Sequence, residues 1–199
     1  MLTATLSPLL DPQAVSSAPA SAAAPGGLHE LTGFVALDQN QGNPNGNPNW
    51  CWAAVAAMVY RHYSNQPLSP CAWATICIGD PKIPDQCCHR PSYCDRAYPI
   101  LFALRGMLGT ASDGPLGPEA IKVEIDARPG RPIVCIQRAA AHVVVIYGLD
   151  EPAPGQAYVL SIDPAGATSS RTEIQEFIDR PDAGWSATIL THSPAPGGP

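Results

Sequence analysis

Residues 49–59 read Asn49-Trp50-Cys51-Trp52-Ala53-Ala54-Val55-Ala56-Ala57-Met58-Val59 and join a loop to an apolar helix. The preceding residues, 41–49, are all Gln, Gly, Asn and Pro, which break helices, and no further breaker occurs before Ser64. Cys51 is therefore predicted at a helix N-terminus, where free N–H groups and the helix dipole favour a thiolate over a thiol. Because the thiolate is the reactive form of cysteine, this stretch indicates a nucleophile and a thiol enzyme.

The pattern outward from this stretch places helices first and strands later. Apolar, β-branched runs predict four main strands, at residues 132–136, 142–147, 157–162 and 185–190, the second of them stopped by Gly148. A short strand is expected at 34–37, and helices are expected at 51–63, 70–78, 95–107, 118–125 and 172–178. This order predicts an α+β domain in which the helix of Cys51 packs on a C-terminal antiparallel sheet.

Composition excludes several classes of partner. The formal net charge of −6, with no basic cluster, argues against nucleic acid. No apolar run approaches the ~20 residues that a membrane-spanning helix needs. We expect a monomeric domain at residues 29–192, a disordered Ala/Ser/Pro-rich leader or linker at 1–28, and a disordered tail at 193–199.

The seven cysteines indicate disulfides and a destination outside the producing cell, although residues 1–27 lack the basic and apolar regions of a signal peptide. Six cysteines besides Cys51 are available for pairing and allow fifteen connectivities. The adjacent Cys87 and Cys88 are expected to take separate partners among the nearby cysteines 71, 77 and 94. Cys135 fits a buried strand position equally well.

A zinc site is a weaker alternative to disulfides. It would use Cys87, Cys88, His89 and Cys94, but their spacing lacks the paired C-x2-C form of structural zinc sites. We therefore expect no metal and no cofactor.

A base and an orienting group for a catalytic thiol are available among the predicted strands. His142 opens the most hydrophobic strand, and Asp163 ends the strand that follows it. If these two strands pair as a hairpin, the two side chains lie side by side. Taken alone, each residue also fits an ordinary position at a strand end. His62 is excluded because it lies about three helical turns from Cys51.

Four segments taken together resemble the papain-like cysteine peptidases of bacteria, over roughly residues 30–191. The resemblance is greatest to the branch that includes a plant-pathogen avirulence effector protease, and weaker to the double-glycine leader peptidases. The segments are Asn49-Trp50-Cys51-Trp52-Ala53-Ala54, Gly130-Arg131-Pro132-Ile133-Val134, Ala141-His142-Val143-Val144-Val145-Ile146-Tyr147-Gly148 and Ile162-Asp163-Pro164. The resemblance implies a papain-like fold, with Cys51 as nucleophile, His142 as general base and acid, and Asp163 as the residue that orients the imidazole.

One departure concerns the oxyanion hole. Such enzymes usually carry a Gln six residues before the nucleophile, and this chain has Asn45 there. Removing one copy of the Asn-Pro-Asn-Gly duplication would bring Gln41 to that distance. We therefore expect Gln41 to be the side-chain donor, with Asn45 and Gln39 as alternatives.

The resulting prediction is a secreted or delivered cysteine endopeptidase, an effector or toxin, that acts on a protein or peptide substrate. Two alternatives stay open at this point. The same three residues support an amidase, deamidase or acyltransferase, and the displaced Gln is compatible with an inactive, disulfide-stabilised binding module.

Overall fold

The computed structural model describes residues 27–41, 46, 49–138 and 142–195. Most of the predicted leader, part of the predicted tail, and Asn45 lie outside the described residues. Helices occupy the first half of the described chain and most strands the second half. The prediction of an α+β fold with a large antiparallel sheet is confirmed. None of the described helices is long and apolar enough to cross a membrane.

The first helix is the centre of the helical part. It spans Cys51–Ser64, and its residues from Cys51 to Tyr60 are all buried. It ends where Asn65 takes a left-handed conformation, with φ of 54°. This first helix is α1. The remaining helices of this part are α2 (Pro70–Ile78), α3 (Gln86–His89), α4 (Pro91–Cys94) and α5 (Ile100–Ala103). A 3-10 turn at Arg105–Met107 follows α5.

The predicted long helix at residues 95–107 is wrong. Only α5 and the 3-10 turn form within that range. Pro99 disfavours helical backbone at the residue before it and becomes the N-cap of α5. Arg105, with φ of 45°, then prevents α5 from continuing.

The described strands form one seven-stranded antiparallel sheet. Its order is β2-β7-β3-β4-β5-β6, and β1 pairs with the second half of β4. The strands are β1 (Leu28–Glu30), β2 (Leu108–Asp113), β3 (Ile133–Gln137), β4 (Val143–Ala153), β5 (Gln156–Asp163), β6 (Thr168–Glu173) and β7 (Trp185–Thr191). Two more helices, α6 (Pro118–Ile125) and α7 (Ile174–Asp179), complete the fold.

The sheet has an apolar core on each face. Successive side chains of β3 and β4 point to opposite faces, so Val134 and Val145 face α1. Cys135 and Val144 face the other core, together with Ile121 of α6 and the Phe177 side chain of α7. Burial on both faces explains why β3 and β4 are continuous apolar runs in the sequence.

Two strand predictions need correction. Residues 34–37 form no strand, and the ladder at this end of the chain is made by β1 instead. Gly148 does not stop the second run, because β4 continues to Ala153. A Cβ at Gly148 would lie 2.6 Å from the carbonyl oxygen of His29, so this glycine lets β1 approach β4.

Candidate active site

Cys51 is the first residue of α1, as predicted. Trp50 is the N-cap, and the first bond of the helix runs from the Ala54 N–H to the Trp50 carbonyl oxygen at 3.0 Å. The N–H groups before Ala54 therefore point out of the helix start, beside the sulfur. Cys51 is only 9% exposed, which places its side chain in a site largely screened from water.

His142 and Asp163 are neighbours across the β4–β5 hairpin. Val145 pairs with Ile162, so the start of β4 lies beside the end of β5. The His142 Nε2 and Asp163 Oδ1 atoms are 2.8 Å apart. The His142 side chain is 17% exposed and that of Asp163 is 44% exposed. The imidazole is thus held from the sheet side by a carboxylate that water still reaches.

The pKa of His142 responds to both Asp163 and Cys51. Hydrogen bonds to Asp163 and then to Cys51 raise the pKa of His142 to about 9, against the opposing effect of burial. Because Nε2 is occupied by Asp163, Nδ1 is the ring nitrogen available to Cys51. The structure therefore places His142 in a hydrogen bond with Asp163 and couples it electrostatically to Cys51.

The charge of Asp163 is stabilised in this arrangement. Burial works to raise the pKa of Asp163, but bonds from His142 and from the Ala165 N–H, together with the charge of His142, hold it below its usual range. The Ala165 N–H lies 2.8 Å from Oδ1. Both shifts favour an ionised carboxylate beside a protonated imidazole.

The candidate oxyanion donors differ in their placement. Gln41, the predicted donor, is exposed in a turn closed by its own N–H to the Asp38 carbonyl oxygen. Gln39 is 6% exposed, and its N–H donates to the Pro164 carbonyl oxygen at 2.8 Å. Burial against the turn that follows Asp163 thus distinguishes Gln39 from Gln41.

Three consecutive residues hold the segment around Cys51. The Trp50 indole N–H donates to the Cys94 carbonyl oxygen at 2.8 Å, and the Trp52 indole N–H donates to the Arg96 carbonyl oxygen at 3.0 Å. Between them, Asp95 Oδ1 accepts the Asn49 N–H at 3.1 Å. We call residues 94–96 the clamp. The sequence predicted Asp95 only as the first residue of a helix at 95–107, because no local pattern connects positions more than 40 residues apart.

A cleft of about 740 Å³ opens at Cys51. One wall is the start of β4 with the end of β3, and the other is the segment between the clamp and α5. Its lining is mostly apolar and consists of Asn49, Cys51, Trp52, Ala97, Tyr98, Pro99, Ile100, Leu101, Ile136, His142 and Val143. A second groove, of about 340 Å³, shares Leu101 and Ile136 with the cleft and runs along β7 and β2.

Two disulfides join the short helices beside this site. They are Cys71–Cys88 and Cys87–Cys94, so the adjacent cysteines take separate partners as expected. Of the six cysteines available for pairing, Cys77 and Cys135 remain thiols, along with Cys51. Cys135 is fully buried within β3, where burial raises the pKa of its thiol, and Cys77 lies on α2.

The zinc alternative does not fit these pairings. Cys87, Cys88 and Cys94 are all consumed in disulfides. Across the part of the chain that the structure describes, no three His, Cys, Asp or Glu residues gather as a metal site. His62 lies along α1 and bonds the Gly130 carbonyl oxygen at 2.8 Å, well removed from Cys51.

Comparison with known proteins gives one match. The family model described as papain-like cysteine protease AvrRpt2 matches residues 35–182. The matched range includes Cys51, His142 and Asp163, both disulfides, all of the helices described above and five of the seven described strands, β2 to β6. No curated protein matches the chain. No solved structure matches it either.

Proposed function

The chain belongs to the papain-like cysteine protease AvrRpt2 family, and we propose that it is an endopeptidase with Cys51 as its nucleophile. The family makes it a hydrolase of peptide bonds. The observation that carries the assignment to Cys51 is its position at the N-terminus of α1, in the lining of the same cleft as His142, which is hydrogen-bonded to Asp163. In this proposal Cys51 and His142 rest as a thiolate–imidazolium pair.

Acylation begins when the Cys51 thiolate attacks the carbonyl carbon of the scissile bond. The new S–C bond pushes the carbonyl electrons onto oxygen and forms a tetrahedral oxyanion. As the oxyanion collapses, the C–N bond breaks and the His142 imidazolium gives its proton to the leaving amine nitrogen. The products of this step are an amine, a thioester on Cys51 and a neutral imidazole.

Deacylation uses the same groups in the reverse roles. Neutral His142 takes a proton from water as the water oxygen attacks the thioester carbon. Collapse of the second oxyanion breaks the S–C bond, releases the carboxylic acid and restores the thiolate beside the imidazolium. Asp163 stays ionised throughout and fixes the ring, so that Nδ1 faces the sulfur in both steps.

For the oxyanion we propose two donors, the backbone N–H of Cys51 and the side-chain amide of Gln39. The Cys51 N–H lies in the first turn of α1, where the backbone N–H groups have no hydrogen-bond acceptor within the helix. We choose Gln39 over Gln41 as the side-chain donor because a preorganised donor must be held in place and screened from water. Gln39 is buried against Pro164, directly after the Asp163 that orients His142, whereas Gln41 is exposed.

The cleft supports a polypeptide substrate with a bulky apolar residue next to the scissile bond. Trp52, Tyr98, Ile136 and Val143 give it an apolar lining within reach of Cys51. The second groove continues the cleft past Leu101, which gives room for further substrate residues. Such an extended surface favours an internal bond of a protein over a small amide.

We also propose that the enzyme acts outside the cell that makes it. Two disulfides are uncommon in proteins that stay in a reducing cytoplasm. Cys94 of the second disulfide lies in the clamp, directly before the residues that form one wall of the cleft, so an oxidising environment suits the proposed site. The specific role we propose is an effector or toxin delivered to another cell, as the sequence already suggested.

The experiment that tests the proposed function is cleavage of a proteome-derived peptide library by the wild type and by Cys51→Ala, with new termini read by mass spectrometry. Endopeptidase activity gives new internal termini with the wild type only, enriched in large apolar residues near the cut. If both proteins give the same termini, the assignment of Cys51 is wrong. If a folded wild type gives no new termini but releases ammonia from Gln-containing substrates, the reaction is deamidation.

A further inference from the structure

The clamp, residues 94–96, contacts the segment around Cys51 on both sides of the nucleophile. It binds the Asn49 N–H and the two indole N–H groups of Trp50 and Trp52. Trp50 is fully buried and Trp52 almost so, and a buried indole N–H needs an acceptor. The position of Cys51 between the two rings therefore depends on where the carbonyl groups of residues 94 and 96 lie.

The clamp also leads directly into the wall of the cleft. Residues 97–101 follow it in the chain and line the cavity. The ring of Tyr98 packs on that of Trp52, with centroids 5.0 Å apart. A displacement of the clamp would thus move the nucleophile and the substrate wall together.

One covalent link anchors the clamp to the rest of the protein. Cys94, its first residue, is bonded to Cys87, and both are fully buried. The Cys87 N–H donates to Thr75 Oγ1 at 3.0 Å, which fastens this disulfide to α2. The other disulfide, Cys71–Cys88, also joins α2 to α3 but includes no residue of the clamp.

On the basis of the proposed function, we propose that the Cys87–Cys94 disulfide positions Cys51 and the cleft wall for catalysis through the clamp. The residues concerned touch neither the reacting sulfur nor the scissile bond, so they are positioning residues. Opening this link is expected to lower turnover in a protein that still folds, because the apolar core and Cys71–Cys88 remain.

The two disulfides allow a purely structural role to be distinguished from positioning. Cys71–Cys88 closes a separation of 17 residues, and Cys87–Cys94 closes one of 7. Because a longer closed loop restricts the unfolded chain more, loss of Cys71–Cys88 should cost the larger share of stability. If the disulfides are only structural, the variant that loses more stability should also lose more activity. If Cys87–Cys94 positions the site, its removal should lower activity more than removal of Cys71–Cys88, although it costs less stability.

The test compares Cys87→Ser/Cys94→Ser with Cys71→Ser/Cys88→Ser as the matched control, using a peptide that the wild type cleaves. We expect kcat of the first variant to fall by ~10-fold or more, since small displacements of reacting groups are costly. The control should stay within about twofold in kcat at temperatures where both are folded by circular dichroism. Equal losses in both variants, or an unchanged kcat in the first, would overturn the proposal.

Asp95 gives a second test that leaves both disulfides intact. Asp95→Ala removes the acceptor of the Asn49 N–H, whereas Asp95→Asn keeps a side-chain oxygen at that place. We expect Asp95→Ala to lower kcat and to slow the alkylation of Cys51 by iodoacetamide, read at that residue by mass spectrometry. Asp95→Asn should restore both, and an alanine variant with wild-type rates would contradict the proposal. A wild type without Cys51-dependent cleavage would instead refute the proposed function.

Discussion

The Nε2 atom of His142 lies 2.8 Å from Oδ1 of Asp163, across the end of a hairpin whose strands β4 and β5 bring the two residues together from 21 positions apart. This contact raises the pKa of His142 to about 9 with the help of Cys51, and it leaves Nδ1 for the sulfur. The helical half supplies Cys51, and the sheet supplies His142 and Asp163. The site therefore exists only where α1 packs against the beginning of β4.

The proposed pair of Cys51 and His142 should behave as one catalytic unit. Cys51→Ser and His142→Ala are each expected to remove nearly all of kcat/KM, and the double variant should lose little more than either. The measurement is kcat/KM for the three variants and the wild type on one fluorogenic peptide. Losses that multiply in the double variant would show that the two residues act independently.

Gln39 and Gln41 form a matched pair for the oxyanion hole. Gln39→Ala should lower kcat by ~10²-fold if its amide donates to the oxyanion, with a smaller effect on KM. Gln41→Ala, at an exposed position two residues on, should leave kcat within about twofold. The reverse result would return the role to Gln41, as the sequence first predicted.

In the proposed mechanism the pKa of His142 sets the alkaline limit of activity. His142 must be protonated to donate to the leaving amine, so kcat/KM is expected to fall as the pH rises through about 9. Asp163→Asn removes the negative charge that holds this proton, so the alkaline limb should move to lower pH. Rate profiles between pH 5 and pH 10 of the two proteins provide the measurement. A limb that does not move in Asp163→Asn would argue against Asp163 as the partner that controls His142.

Gly148 is predicted to be essential for the pairing of β1 with β4. In Gly148→Ala the new Cβ would lie 2.6 Å from the His29 carbonyl oxygen and 2.9 Å from Leu160 Cδ1. We expect a loss of ~1–3 kcal/mol in the free energy of unfolding, measured by urea denaturation. Gly106→Ala is the control, because its Cβ would meet only ordinary contact at 3.9 Å. Equal stability of the two variants would show that β1 moves away without cost.

The parts of the fold that local rules control were predictable. The start of α1 at Cys51 follows from a helix-breaking loop joined to an Ala-rich segment, and α2 starts at Pro70 behind the N-cap Ser69. The strands β3, β4, β5 and β7 were recognised because burial on both faces requires continuous apolar runs. These elements also located Cys51, His142 and Asp163, whose catalytic roles remain predictions.

The edges of the sheet were not predictable in this way. The strands β2 and β6 were missed because they lie at the two edges and are mostly exposed, so neither carries an apolar run. The strand β1 was missed because only three residues pair with β4. An edge strand is defined by the neighbour it binds, and that neighbour is distant in the sequence.

The sequence by itself determined where α1 begins, which segments form the central sheet, and which histidine and aspartate end up at one hairpin end. Those features depend on local propensity and on the period of apolar residues, which can be read within a window of about ten residues. Only the tertiary structure decided the disulfide partners, the burial of Gln39 rather than Gln41, and the hydrogen bonds between the clamp and residues 49–52. The burial of Gln39 and the bonds of the clamp result from packing residues far apart in the chain, and the disulfide partners depend on how the short helices α2, α3 and α4 pack together.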